Sequence, residues 1–226
     1  MCAQGRIALY GGTFDPVHTG HVEIARRVLQ LFEIEKVVFI PAQMAPHKIG
    51  RPVTEPIHRY AMLALATQED PRLLISTFEL DAPDRRYTVD TVEHFQRVLG
   101  DSTELFFLMG ADSWAEITTW REWERLLAMT NHIIVTRPGY EPVTTHVGEH
   151  EDRIVDLRNS VELNSRGNTR IYLTDIVMND ASATHIRRLA REGRTDELVN
   201  VVPGPVLEYI KKYGIYRELN EARPNS

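Results

Sequence analysis

Residues 6–21 read Arg6-Ile-Ala-Leu-Tyr-Gly-Gly-Thr-Phe-Asp-Pro-Val-His-Thr-Gly-His21. The first five form an apolar run of strand type, stopped by Gly11-Gly12. From Gly20 to Phe32 the apolar residues Val22, Ile24, Ala25, Val28, Leu29 and Phe32 recur at helical spacing. A strand, a glycine turn and a helix in this order open a βαβ unit. Lys36 to Ile40, ended by Pro41, supplies the next strand.

The alternation continues down the chain. A helix is predicted over Thr54 to Glu69, with Tyr60, Leu63, Ala64 and Thr67 on one side, and a strand over Leu73 to Leu80. A helix over Thr88 to Leu99 and a strand over Glu104 to Met109 follow. Thr119-Trp-Arg-Glu122 has capping-box spacing, which predicts a helix from Trp120 to Ala128. His132–Thr136 and Arg170–Thr174 read as strands. Ser182 to Glu192 reads as a helix capped by Ser182 and closed by Gly193, and Pro205 to Tyr213 as a last helix closed by Gly214. Such alternation predicts an α/β fold of Rossmann-like, doubly wound type, a parallel sheet with helices on both faces. A single domain over 1–219 is expected. Gly139 to Thr169, charged and aperiodic, reads as an irregular insertion or lid, with one weak strand or helix near Arg153 to Leu157, and 220–226 as a disordered tail.

The chain has 226 residues, of which 42% are hydrophobic, enough to bury one sizeable core. A formal net charge of -6 argues against a nucleic-acid partner, which would call for local excess of Lys and Arg, yet leaves room for a nucleotide. The lone cysteine, Cys2, rules out an intrachain disulfide and a Cys-rich zinc site and fits a reducing cytoplasm. No apolar run reaches the length of a membrane span, and the first residues do not read as a signal peptide.

The strand–helix junction is where an open α/β sheet places its ligand. Gly11 and Gly12 allow backbone to approach a phosphate, and the following helix turns its positive end to the same place. His18 and His21, three apart, project on one side of the first helical turn and suit an anion whose charge grows in a transition state. The plainer reading is a glycine turn with two histidines that satisfy local hydrogen bonds. Two glycines and a His-x-x-His pair at one junction favour function.

Gly11-Gly-Thr-Phe-Asp-Pro-Val-His-Thr-Gly-His21 closely resembles the signature of the bacterial nicotinate-nucleotide adenylyltransferases. These belong to a nucleotidyltransferase superfamily marked by (H/T)-x-G-H, here His18 to His21. That motif alone speaks for reaction type more than for substrate. Further matches span nearly the whole chain. Pro46-His47-Lys48 resembles the family's PHK, and Lys48 is a natural point charge for a phosphate. Tyr87-Thr88 stands where the family binds the nicotinate ring, and Gly110-Ala-Asp-Ser113 resembles its GADS, with Asp112 suited to a ribose hydroxyl. Trp120 matches a tryptophan that stacks on pyridine; its plainer reading is core packing, since Trp120, Trp123 and Leu127 share helical spacing. Arg137-Pro138 fits the pattern too. Ser182-Ala-Thr-His-Ile-Arg187 resembles SSTxIR, with Ala183 in place of the second serine.

The resemblance implies transfer of AMP from ATP to nicotinate mononucleotide, with release of pyrophosphate, in NAD biosynthesis. It implies catalytic roles for His18, His21, Lys48 and Arg187. ATP would be bound by Gly11, Gly12, Thr13, Phe14, His18, His21, Gly110, Asp112, Ser182, Thr184, Ile186 and Arg187. The mononucleotide would be bound by Thr13, His47, Lys48, Tyr87, Thr88, Trp120 and Arg137. No metal cage is read in the chain, so Mg2+ would arrive with ATP. A homo-oligomer is left open. The rivals are adenylyl transfer to pantetheine phosphate, disfavoured by chain length and the Gly110 and Trp120 region, transfer to nicotinamide mononucleotide, and a non-catalytic nucleotide sensor, disfavoured by the presence of His18, His21 and Arg187.

Overall fold

The structure, a computed structural model, describes residues 5–43, 53–81, 87–136, 141–158, 169–176 and 181–217. Among these, seven strands form one parallel sheet in the order β3-β2-β1-β4-β5-β7-β6. They are β1 (Gly5–Gly12), β2 (Lys36–Pro41), β3 (Leu73–Ile75), β4 (Thr103–Gly110), β5 (Asn131–Val135), β6 (Ile154–Asp156) and β7 (Ile171–Thr174). The helices are α1 (Thr19–Leu31), α2 (Pro56–Thr67), α3 (Thr88–Leu99), α4 (Ala111–Ala115), α5 (Trp123–Met129), α6 (Ala183–Arg191) and α7 (Gly204–Tyr213). The doubly wound α/β fold expected from the sequence is the fold observed.

Side chains of a strand alternate between faces, so each strand feeds two cores. On one face Ala8, Tyr10, Val37, Phe39, Phe106 and Leu108 pack with Val22, Ala25 and Val28 of α1, Met62 and Leu63 of α2, and residues of α6 and α7. On the other, Leu9, Val38, Ile40, Phe107 and Met109 pack with Val92 of α3, Trp114 of α4, and Leu126 and Leu127 of α5. The near-continuous apolar strands follow from burial on both sides.

Strand order reverses at β1, which pairs with β2 on one side and β4 on the other. All strands are parallel, so the loop after β1, α4 after β4, and the N-termini of α3 and α6 gather at the carboxyl edge. A crevice at such a switch point is the ligand site of open α/β sheets.

Several sequence expectations shift. β3 ends at Ile75, not Leu80: Ser76 donates its N–H to Phe39, then Phe78 N–H turns onto Ser76 Oγ at 3.1 Å, which folds the chain away from this edge strand. The Thr119–Glu122 capping box does not form. Thr119 Oγ1 instead donates to the carbonyl of Glu116 at 2.7 Å, and Glu122 takes a left-handed conformation (φ 52°) with its carboxylate on Arg125. The helix therefore starts at Trp123, and Trp120 stands in extended backbone before it. Ser182 occupies the N-cap of α6, but its hydroxyl makes no capping bond. The weak element near 153–157 is the edge strand β6, preceded by a 3-10 segment, Thr145–Arg153. The tail at 220–226 lies outside the described residues.

Candidate active site

The loop between β1 and α1 departs from ordinary backbone at Phe14, a non-glycine residue with φ 50°. Its ring is buried against Tyr10 and Phe39 and meets His21 edge-on at 5.1 Å, so aromatic packing holds the turn in this conformation. Gly11 and Gly12 close β1 without positive φ. A Cβ at Gly11 would stand 2.8 Å from Phe107 Cζ, and one at Gly12 would stand 2.8 Å from Phe14 Cζ. Packing by itself therefore demands glycine at both positions, in addition to any approach by a ligand. Gly110 differs: a Cβ there would meet nothing within 4 Å.

His18 is the N-cap of α1, and its ring stacks on that of His21 at 3.7 Å. The backbone N–H of His18 donates to His21 Nδ1 at 3.2 Å. This bond settles the tautomer. An imidazole that accepts at Nδ1 and is neutral carries its proton at Nε2. Burial pushes the His21 pKa well below the usual imidazole value, and the neighbouring His18 adds to the effect. His21 is thus a neutral N–H donor at the mouth of the glycine loop. Thr19 turns the other way, its Oγ1 donating to the carbonyl of Val201 at 3.0 Å.

Arg187 of α6 reaches the same loop. Its Nη1 donates to the carbonyl of Asp15 at 2.6 Å, and its Nη2 to Thr184 Oγ1 at 3.1 Å. Ser182 and Thr184 flank the first turn of this helix. The side chains of Phe14 and Ile186 are buried in the core, and Ile186 N–H already donates to Ser182 at 2.9 Å. A nucleotide contact by either residue would therefore be made through its backbone.

Across the sheet, Phe107 lies between the glycine loop and Trp120. Its ring lies 6.4 Å from that of Trp120, nearly perpendicular. Trp120 is half-buried, and its Nε1 is buried without a hydrogen-bond partner among the described residues. Tyr87, the N-cap of α3, donates its N–H to Asp90, and Thr88 is the first helical residue. The Arg121 guanidinium stands 4.8 Å from the centre of the Tyr87 ring. The fold thus brings Tyr87-Thr88 beside Trp120-Arg121. Gly110 and the exposed Asp112 open α4 at the switch point. His47, Lys48 and Arg137 lie outside the described residues.

Sequence reading missed four residues, among them Asp15, which stands inside the quoted motif but was given no role. Arg121 resembles any surface arginine and gave no signal. Arg59 is wholly buried, although it falls four residues before Leu63 on the inward stripe of α2, which was a signal. Tyr216, past the glycine that closes α7, gave none.

A parallel sheet with a glycine loop, a paired-histidine helix start and an arginine-bearing second helix at its switch point defines a nucleotidyltransferase. The profile of the cytidylyltransferase-like family matches residues 9–189, and the chain belongs to that family. Within it, the chain is 38% identical over 216 residues to a Thermoanaerobacter sp. protein named "probable nicotinate-nucleotide adenylyltransferase", covering 96% of each. It is 37% identical to a protein of the same name from Thermus thermophilus, covering 94% of this chain and all of that one. The solved structure of Plasmodium falciparum nicotinic acid mononucleotide adenylyltransferase complexed with NaAD shares the fold, with a TM-score of 0.71 at 18% identity over 94% of this chain and 97% of that one.

Proposed function

We propose that the chain transfers the adenylyl group of ATP to nicotinate mononucleotide, giving nicotinate adenine dinucleotide and pyrophosphate, a step of NAD biosynthesis. The observation that carries this reading is the His18–His21 pair at the switch point of a chain that matches the named relatives over nearly its full length.

A phosphate oxygen of the mononucleotide attacks the α-phosphorus of ATP. A P–O bond forms, the bond to the bridging oxygen breaks, and its electron pair leaves with pyrophosphate. The attacking oxygen is already anionic, so no general base is needed. Charge grows on the non-bridging oxygens, and the neutral Nε2–H of His21 and the fixed positive charge of Arg187 suit it. A neutral donor is well chosen, because it needs no second proton in a site whose surroundings disfavour imidazolium. Tyr87, Thr88 and Trp120 would take the pyridine ring and its carboxylate, with His47, Lys48 and Arg137 on the mononucleotide phosphate. Mg2+ would enter as MgATP and help to neutralise the triphosphate. Among the described residues no helix is long and apolar enough to cross a membrane.

The test is pyrophosphate release from ATP with each mononucleotide in turn. We expect a higher kcat/KM for nicotinate than for nicotinamide mononucleotide. Equal efficiency, or preference for the amide, would remove the acceptor assignment.

A further inference from the structure

The turn that presents the histidines is held from outside itself. Arg59 is fully buried, and its guanidinium donates only to backbone carbonyls: Nε to Thr54 at 2.9 Å, Nη1 to Thr13 at 2.8 Å and Nη2 to Gln43 at 3.3 Å. Those carbonyls belong to the loop after β1, the segment after β2 and the approach to α2. Asp15, also buried, accepts the Thr54 N–H at Oδ2 (3.3 Å) and the Tyr216 O–H at Oδ1 (2.8 Å). Its backbone carbonyl receives Arg187. Tyr216 itself stands in left-handed backbone, φ 73°, just beyond α7. Burial and the facing carboxylate keep the phenol proton on Tyr216, so it remains a donor across the working range.

A charged side chain placed wholly inside the protein to bind three carbonyls costs solvation that such bonds must offset. The arrangement makes chemical sense where backbone position matters more than stability. Here the backbone in question carries the Asp15 carbonyl, which accepts from Arg187.

We propose that Tyr216 and Arg59 are positioning residues for the adenylyl transfer: by fixing Asp15 and Thr13 they set the Asp15 carbonyl that orients Arg187 toward the triphosphate. The inference rests on the reaction assigned above. A small misplacement of a charge-stabilising group lowers the rate far more than it weakens substrate binding. Tyr216 thereby couples the end of α7 to the reaction centre.

Tyr216→Phe removes one hydroxyl and keeps the ring. In the full-length enzyme we expect kcat to fall about tenfold, with KM for ATP and for nicotinate mononucleotide within about twofold, and the melting temperature to fall by a few degrees, because the buried Asp15 Oδ1 loses its donor. A purely structural hydroxyl would lower activity equally in any background, so the deciding measurement is a cycle with Arg187→Ala. In that background Tyr216→Phe should change kcat by less than about twofold, because the group it positions is gone. Arg59→Lys, which keeps the charge but not the three-way reach, should behave in the same way; Arg59→Ala, if it fails to fold, leaves the tyrosine cycle decisive. Equal losses in both backgrounds, or a folded Tyr216→Phe enzyme with unaltered kcat, would overturn the proposal. Absence of wild-type turnover would instead overturn the assigned reaction.

Discussion

Replacing Gly11 by alanine separates what the glycine loop owes to packing from what it owes to a nucleotide. The new Cβ would stand 2.8 Å from Phe107 Cζ and 3.4 Å from Cε2. Phe107 cannot swing away freely, because it is 3% exposed and packed near Trp120 and His132. Overpacking of this kind costs about 1–3 kcal/mol. For a chain of this size, each kcal/mol lowers the melting temperature by roughly 2–4 °C, so a drop of about 2–12 °C is expected. Phe107→Leu should absorb the strain, and the double variant should melt close to Phe107→Leu alone rather than at the sum of the two losses. Gly110→Ala is the control: with open space around the position it should cost less than about 1 kcal/mol, the helix-cap preference for glycine, while weakening ATP binding. Melting curves and calorimetric titration with ATP read both quantities. A Gly11→Ala protein that melts like wild type yet loses ATP would refute the packing argument and return that glycine to the nucleotide.

Other expectations follow from single residues. His21→Ala should fold, lose on the order of a hundredfold or more in kcat and change the KM for ATP much less, since one preorganised donor acts mainly in the transition state; His21→Asn, which keeps an N–H, should retain part of the rate. Trp120→Ala should weaken nicotinate mononucleotide by about fivefold, from roughly 1 kcal/mol of stacking, and leave ATP binding nearly intact in titrations; equal weakening of both ligands with a lowered melting temperature would make Trp120 a core residue only. His132 is fully buried, and desolvation, with Arg153 as a further cause, holds its pKa down to about 3. The unfolded chain therefore binds this proton first, so stability is complete above pH 6.5 and is lost as pH falls toward 3. Between about pH 7.5 and 4.5 this one group should cost about 3 kcal/mol, and denaturant unfolding of His132→Leu should show a correspondingly flatter acid limb.

The β1–α1 junction was legible in the sequence because it depends on local pattern: a strand run, two glycines, then helical spacing with a His-x-x-His start. α3 and the central strands were legible for the same reason. What escaped depended on tertiary contacts. Thr119-x-x-Glu122 has capping spacing, but Thr119 finds the Glu116 carbonyl and Glu122 finds Arg125, so the helix begins one residue beyond Glu122 and frees Trp120 from the stripe with Trp123 and Leu127. Leu73–Leu80 has strand composition, but an edge strand has one partner, and Ser76 ends it with a turn. The histidine pair, Gly110, Tyr87, Trp120 and Arg187 were nominated from motifs and fall at one sheet edge. Arg59, Asp15 and Tyr216 were not nominated together because they are 44 to 201 positions apart in the chain, and only the fold closes that distance. No motif describes a guanidinium whose partners are all backbone carbonyls.

The most direct measurement follows the α-phosphorus itself. ATP labelled with radioactive phosphorus at the α position is incubated with the enzyme, Mg2+ and nicotinate mononucleotide, and the products are separated. We expect the label to appear in nicotinate adenine dinucleotide, in step with the release of unlabelled pyrophosphate, and none on the protein at any time during turnover. Label trapped on the protein would contradict direct attack by the mononucleotide phosphate, and failure to form labelled dinucleotide would contradict the adenylyl transfer on which the whole reading of the site depends.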